Sequence, residues 1–209
     1  TDCADRYGIP SVFWFTKGPR YFEYFLDVAK ICKFVYAADE ATLQKLTCHG
    51  VSASLLLPCV QPLIFNPLKE QAPEKCSDDI HSHSFALFDG WADIDRFEDH
   101  YLKLLSESLI NKIDIIESRF VITKNRVFAS ERMAQRTLGY TDTLQKSEIL
   151  RNTKLYLVGD RSISDKVDQA WNILQAMASR LPVIVLTDVE KPPPNFFSSV
   201  LYATSNECL

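Results

Sequence analysis

The residues best placed to do chemistry lie in one short polar run, Arg161-Ser162-Ile163-Ser164-Asp165-Lys166. It sets two hydroxyls and two cations between an apolar run and an amphipathic one. Leu155 to Val158 has the length of a strand and stops at Gly159-Asp160. Asp165 stands where an N-cap belongs. Val167, Ala170, Trp171, Leu174, Met177 and Ala178 then follow at the i, i+3, i+4 and i+7 spacing of one helical face. Pro182 closes the helix, and Val183 to Leu186 is an apolar run of the kind buried in a parallel sheet. Strand, helix and strand make a βαβ unit with a right-handed crossover. The loop of such a unit leaves the carboxyl end of a strand and enters a helix whose first N–H groups lack partners. That combination holds anions. Ser162 and Ser164 add hydroxyl donors, and Arg161 and Lys166 add charge. The chemistry expected there is capture of a phosphate or diphosphate.

Other catalytic patterns are absent: the chain has no GxSxG elbow, HExxH pair, GxxxxGK[ST] loop or GxGxxG turn. His81 and His83, with Asp78 and Asp79 nearby, have the ligand types for a metal. A solvated polar loop gives the same pattern and is the reading preferred, so no metal or other cofactor is assigned. Six cysteines (Cys3, Cys32, Cys48, Cys59, Cys76, Cys208) form no CxxC pair. In a chain with a plentiful apolar core they read as thiols, which points to the cytoplasm.

With 209 residues, 46% of them hydrophobic and 24% charged, the chain can bury one sizeable core or two small ones. A net charge of −4 and the lack of a basic stripe with interleaved aromatics argue against nucleic acid as a partner. No apolar run reaches the ~20 residues that span a bilayer, and no signal-peptide pattern is present. The chain opens at Thr1 without Met, so it reads as a fragment of something longer.

The elements that must position the polar run fall into an α/β order. Ser11 to Phe15, Phe34 to Ala37 and Val51 to Leu57 read as strands. Between them lie helices over Tyr21–Lys30, with Phe22, Phe25, Leu26 and Ala29 facing inward, and over Glu40–Cys48, capped by Asp39 and ended by His49-Gly50. Residues 1–67 thus form half of a Rossmann-like domain with parallel strands. Residues 68–84 are polar and aperiodic, a linker. Residues 85–209 form a second Rossmann-like unit. It starts at Phe85–Phe88, continues through a helix from Asp95 to about Ile110, and has further strand candidates at Ile113–Glu117 and Phe120–Thr123. Short helices over Glu131–Thr137 and Leu144–Arg151 precede Lys154, and Val200–Ala203 is a last strand.

Several of these segments resemble two-domain (GT-B) glycosyltransferases, and in order of elements the spore-maturation CgeB-like branch. Gln175-Ala176-Met177-Ala178-Ser179-Arg180-Leu181-Pro182-Val183-Ile184 is similar to that family's "EAMAxGxPVI" segment, with Gln175 in place of Glu and Arg180 in place of Gly. Val167 stands where many retaining members carry an acid, eight residues before Gln175. Leu57-Pro58 through Phe65-Asn66-Pro67 is similar to the family's crossing between domains. Leu138-Gly139-Tyr140-Thr141 followed by Leu144–Arg151 is similar to its "GYVxxxExxxL" order. The resemblance implies a GT-B fold with an incomplete first domain, and transfer of a sugar from a nucleotide-sugar to a glycan or other hydroxyl acceptor without a metal. It places Gly90 in the loop facing the donor diphosphate, together with Arg161, Ser162, Ser164 and Lys166. It gives the position of Gln175 the donor's ribose or sugar hydroxyls. Trp91 and Trp171 could border base or sugar, although Trp171 on the apolar stripe reads first as core. The acceptor's base belongs to the part of the first domain not covered, and neither Asp2 nor Asp5 is assigned that role. Further domains or a peripheral membrane contact are the other partners implied, and the fragment by itself is expected to be inactive. The competing reading is a non-catalytic α/β binding or scaffold module of a polysaccharide-assembly or regulatory protein that keeps the fold and has lost the chemistry. A flavodoxin-like domain for another phosphorylated ligand is a third.

Overall fold

The computed structural model of the chain describes residues 6–68, 86–89, 110–117, 137–159, 166–187 and 200–204. Within these the protein is α/β, and every strand pairing is parallel. The chain divides into two compact units, Thr1–Cys59 with Arg161–Asn172, and Val60–Asp160 with Ile173–Leu209. The division falls between Cys59 and Val60, whereas the sequence alone ran the first unit on to 67. Phe65, 4% exposed, belongs to the core of the second unit.

In the first unit β1 (Val12–Phe15), β2 (Phe34–Ala37) and β3 (Ser54–Leu55) lie side by side in that order. Helix α1 (Phe22–Ile31) joins β1 to β2, and α2 (Glu40–Cys48) joins β2 to β3. Phe13 and Phe15 stand level with Val35 and Ala37. Alternation along the strands puts these four on one face. There Phe15, Val35 and Ala37 meet Phe22, Leu26 and Ala29 of α1 and Leu46 of α2. Phe25, expected inward, is 39% exposed, with its ring 6.0 Å from that of Phe13 and 6.2 Å from that of buried Phe15. The opposite face carries Val12 and Trp14 beside Phe34 and Tyr36. Asp39 caps α2 as its sequence position predicts, accepting from the Thr42 N–H at 2.8 Å and from the Thr42 hydroxyl at 2.7 Å. The third strand is shorter than the apolar run from 51 to 57. Val51 is drawn instead into the end of α2, where its N–H donates to Leu46 O and its side chain joins the core.

In the second unit six strands lie in the order β6-β5-β4-β7-β8-β9. They are β4 (Ala86–Asp89), β5 (Ile113–Glu117), β6 (Thr137–Tyr140), β7 (Leu155–Gly159), β8 (Val183–Thr187) and β9 (Leu201–Thr204). Thr137, expected to end a short helix, begins β6. The rest of that helix, the Phe120–Thr123 strand and the helix after Asp95 lie outside the described residues, apart from helical Ile110. Ile116 on β5, Tyr156 and Val158 on β7, and Val183 and Val185 on β8 alternate onto one face. They pack there with Ile149 and Leu150 of α3 (Thr143–Asn152) and Ile173 and Ala176 of α4 (Lys166–Ala178). The other face is covered too, for Ile115, Leu157 and Leu186 are each at most 1% exposed. Burial on both faces is why these strands read as unbroken apolar runs. Helix α3 starts on a capping box that the periodicity missed: Asp142 accepts from the Gln145 N–H, and the Gln145 side chain accepts from the Asp142 N–H.

Two helix ends share one geometry. At the end of α2, Gly50 N–H donates to Thr47 O and Val51 N–H to Leu46 O, both at 3.0 Å. At the end of α4, Arg180 N–H donates to Met177 O at 2.9 Å and Leu181 N–H to Ala176 O at 3.0 Å. Each is a Schellman cap whose turning residue is left-handed, with φ of 72° at Gly50 and 63° at Arg180. The residue after the turn is buried against the helix in both cases, Val51 at 8% and Leu181 at 8% exposure. Arg180 therefore adopts the backbone that a glycine would hold with less strain. Arg180→Gly should raise stability by about 1 kcal/mol in urea unfolding. Gly50→Ala should lower it by about the same amount, although a Cβ at residue 50 meets nothing within 4 Å. An unchanged midpoint in both variants would contradict the strain at these turns.

Candidate functional site

The six-stranded sheet changes its direction of growth at one place. From β4 the chain builds outward to β5 and β6, and from β7 it builds the other way to β8 and β9. The crevice beyond the carboxyl ends of the two strands at such a reversal is where open α/β sheets bind ligands. Here those strands are β4 and β7, hydrogen-bonded neighbours with Phe88 level with Leu157. Neighbouring strands are ~4.8 Å apart. The ends of these strands, Asp89 and Gly159, therefore stand side by side at one edge of the sheet. Next to them along this edge stands Glu117, the last residue of β5, and on the other side Thr187, the last of β8.

Of the residues singled out in the sequence, Gly90, Arg161, Ser162 and Ser164 lie outside the described residues, as do Trp91, Asp2, Asp5, His81 and His83. Their places in the chain tie Gly90 to the end of β4 and the polar run to the end of β7. Lys166 is the first residue of α4 and Gln175 lies in its last turn. At 1.5 Å of rise per residue the two are ~13 Å apart along the axis.

Gln175 is half-buried, and its Oε1 is shut off from solvent without a hydrogen-bond partner. Its backbone carbonyl is engaged, accepting from the Ser179 N–H at 3.1 Å and the Ser179 hydroxyl at 3.0 Å. Trp171 presents a second such atom, Nε1, and within the first unit its ring stands edge-on to Trp14 at 5.6 Å. The third is Oγ1 of Thr141, the residue following β6 on the carboxyl edge of the sheet. Sequence reasoning passed over Thr141. The only signal for it was its place between the end of a strand and the Asp142 cap.

Helix α4 also differs from the stripe its spacing predicts. Its most buried residues include Gln169, Asn172, Ile173 and Ala176, while Trp171, Leu174 and Met177 are intermediate. No side chain described between Val167 and Ser179 is exposed. Gln169 and Asn172 both have interaction partners, which is what allows two amides to sit inside.

Among the described residues no cluster of three or more His, Cys, Asp or Glu side chains is placed to hold a metal. No described helix is long and apolar enough to cross a membrane. Cys32, Cys48 and Cys59 are free thiols. Alkylation of the native chain without reductant should label exposed Cys48 and Cys59 rapidly, and mass spectrometry finding either in a disulfide would contradict this.

An unpartnered buried oxygen costs ~1–3 kcal/mol, a cost removed when the amide is replaced by an apolar group of similar shape. Gln175→Leu should accordingly raise the thermal midpoint of the ligand-free protein. If Oε1 serves a ligand, the same change should weaken nucleotide-sugar binding, a split visible by comparing melting curves with and without the sugar. No protein-family model and no curated protein matches this chain.

Proposed function

We propose that the chain acts as a cytoplasmic glycosyltransferase of the GT-B plan, its two units being Rossmann-like domains. Its reaction moves a sugar from a nucleotide-sugar to a glycan or other hydroxyl acceptor. The observation that carries this reading is the strand reversal at β4 and β7. It puts the ends of β4 and β7, which precede Gly90 and the Ser162–Ser164 run in the chain, on one edge of one sheet. A leaving nucleoside diphosphate there meets free N–H groups, the hydroxyls of Ser162 and Ser164, and the charges of Arg161 and Lys166. Those groups neutralise it without a metal. Gln175 is left for donor hydroxyls, to which an unpartnered amide oxygen is suited. The acceptor's base is not assigned to any residue of this chain.

A second reading, a non-catalytic module that keeps the fold, is favoured by Gln175, which lacks the charge of the family's Glu. The other departure, Arg180 for Gly, does not count toward it, because the backbone at 180 already has the glycine conformation. Saturation-transfer NMR with UDP-, GDP-, dTDP- and CMP-sugars tests donor binding, and a transfer assay on a binding-competent chain separates enzyme from module. Replacing Ser162 and Ser164 together by Ala should weaken donor binding about tenfold or more, at ~1 kcal/mol per hydrogen bond. Ser52→Ala, an exposed change in the first unit, should leave binding as it was. Equal binding by both variants would remove the polar run from the donor site.

A further inference from the structure

We propose that two copies of this chain pair through the first unit, edge to edge along β1, with their α1 helices side by side over the joined sheet. The proposal is independent of the functional reading above. Helix α1 has two apolar faces. Phe22, Leu26 and Ala29 are buried against the sheet. Tyr24, Val28 and Ile31, spaced i, i+4 and i+7, make a second stripe that is exposed, Tyr24 at 80% and Ile31 at 60%. Glu23, Asp27 and Lys30 take the same spacing one residue earlier, so charge is confined to the remaining side. Phe25 joins the exposed stripe to β1, its ring near those of Phe13 and Phe15. Phe22 marks the other flank, with Lys45 of α2 and the cap residue His49 at 5.4 Å and 5.1 Å from its ring. The exposed stripe therefore lies on the side of the helix that faces the outer edge of β1.

That edge offers backbone for pairing. Ser11 O and Phe15 O accept from the Phe34 and Ala38 N–H groups, and alternation turns the N–H and C=O of Val12 and Trp14 outward. Among the described residues no strand pairs with them. A second copy meets both needs with one operation. A two-fold axis perpendicular to the sheet, passing beside Phe13, sets Val12 of each copy opposite Trp14 of the other in an antiparallel hydrogen-bonded pair. The same axis keeps both helices on one face. Helix α1 packs on both β1 and β2, about half a strand spacing of ~4.8 Å inside the edge. Its copy then lies ~10 Å away, at the separation of packed helices. A lone added strand would leave most of the stripe bare, and a lone helix would leave the edge unpaired. The stripe, Phe25 and exposed Val12 leave open on the order of 500 Å² of apolar surface, near the upper end for a monomer. Two copies hide about twice that, reaching the ~1,000 Å² that a specific interface needs.

Sedimentation velocity and hydrogen exchange on the whole chain test this. The wild-type chain should sediment as a dimer at about 100 μM. The amides of Val12 and Trp14 should exchange about tenfold or more slowly in the dimer than in dilute monomer. Tyr24→Glu combined with Ile31→Glu, both changes at exposed positions, should weaken the dimer at least ~100-fold, because like charges would be buried together. A wild-type chain that stays monomeric overturns the proposal and leaves the edge and stripe to a partner of another kind. A dimer that survives the two glutamates overturns it as well. So does a wild-type dimer in which Val12 and Trp14 exchange as fast as in the monomer, a measurement that requires no variant to fold.

Discussion

The second unit depends on the parallel pairing of β4 with β7. Six short strands could be joined in many ways, but this pair fixes where the chain turns back and which ends of the strands share an edge. Its register also decides which residues face which core. Ala86, Leu87 and Phe88 stand level with Leu155, Tyr156 and Leu157. A slip of one residue would turn Tyr156 and Val158 away from Ile149, Leu150 and Ala176 and leave the segments after Asp89 and Gly159 at different levels. Packing and site geometry are thus set by one ladder. The large side chains beneath it, Tyr156 and Leu157 at 0% exposure, make the alternatives costly.

Much of the fold was legible because local signals and packing agree. The strand at Phe34–Ala37, the helix at Glu40–Cys48 with its Asp39 cap, and the strand at Ile113–Glu117 stand where apolar runs and capping residues put them. What was not legible depends on tertiary context. Strand β6 has a glycine and few apolar residues, and it exists because β5 offers it a partner at Ile115 and Glu117. Val51 looks like strand from its neighbours, yet the α2 cap claims its N–H. The inner face of α4 was misread because its described side chains from Val167 to Ser179 are all buried or half-buried. A period of 3.6 then has little contrast, and the partnered residues Gln169 and Asn172 go inward against their polarity.

The candidate site was legible in a different way. The polar run and Gly90 stand out by residue type, but nothing in the linear chain joins the end of β4 at Asp89 to the end of β7 at Gly159. Strand order supplies that link, and strand order is a long-range property. Buried unpartnered atoms such as Gln175 Oε1 and Thr141 Oγ1 are invisible to pattern reading altogether, since they are defined by the absence of a neighbour.

The ends of α2 and α4 bear on how such a chain can drift. The two turns have matching hydrogen bonds and matching buried anchors, yet one is spelled with Gly50 and the other with Arg180. Helix, anchor and following strand together hold the turn, so the identity of its central residue is free to change at a modest energetic penalty. A glycine signature is therefore a narrower mark than the turn it stands for: a search for glycine at such caps finds the end of α2 and passes over the end of α4, although the two have one shape.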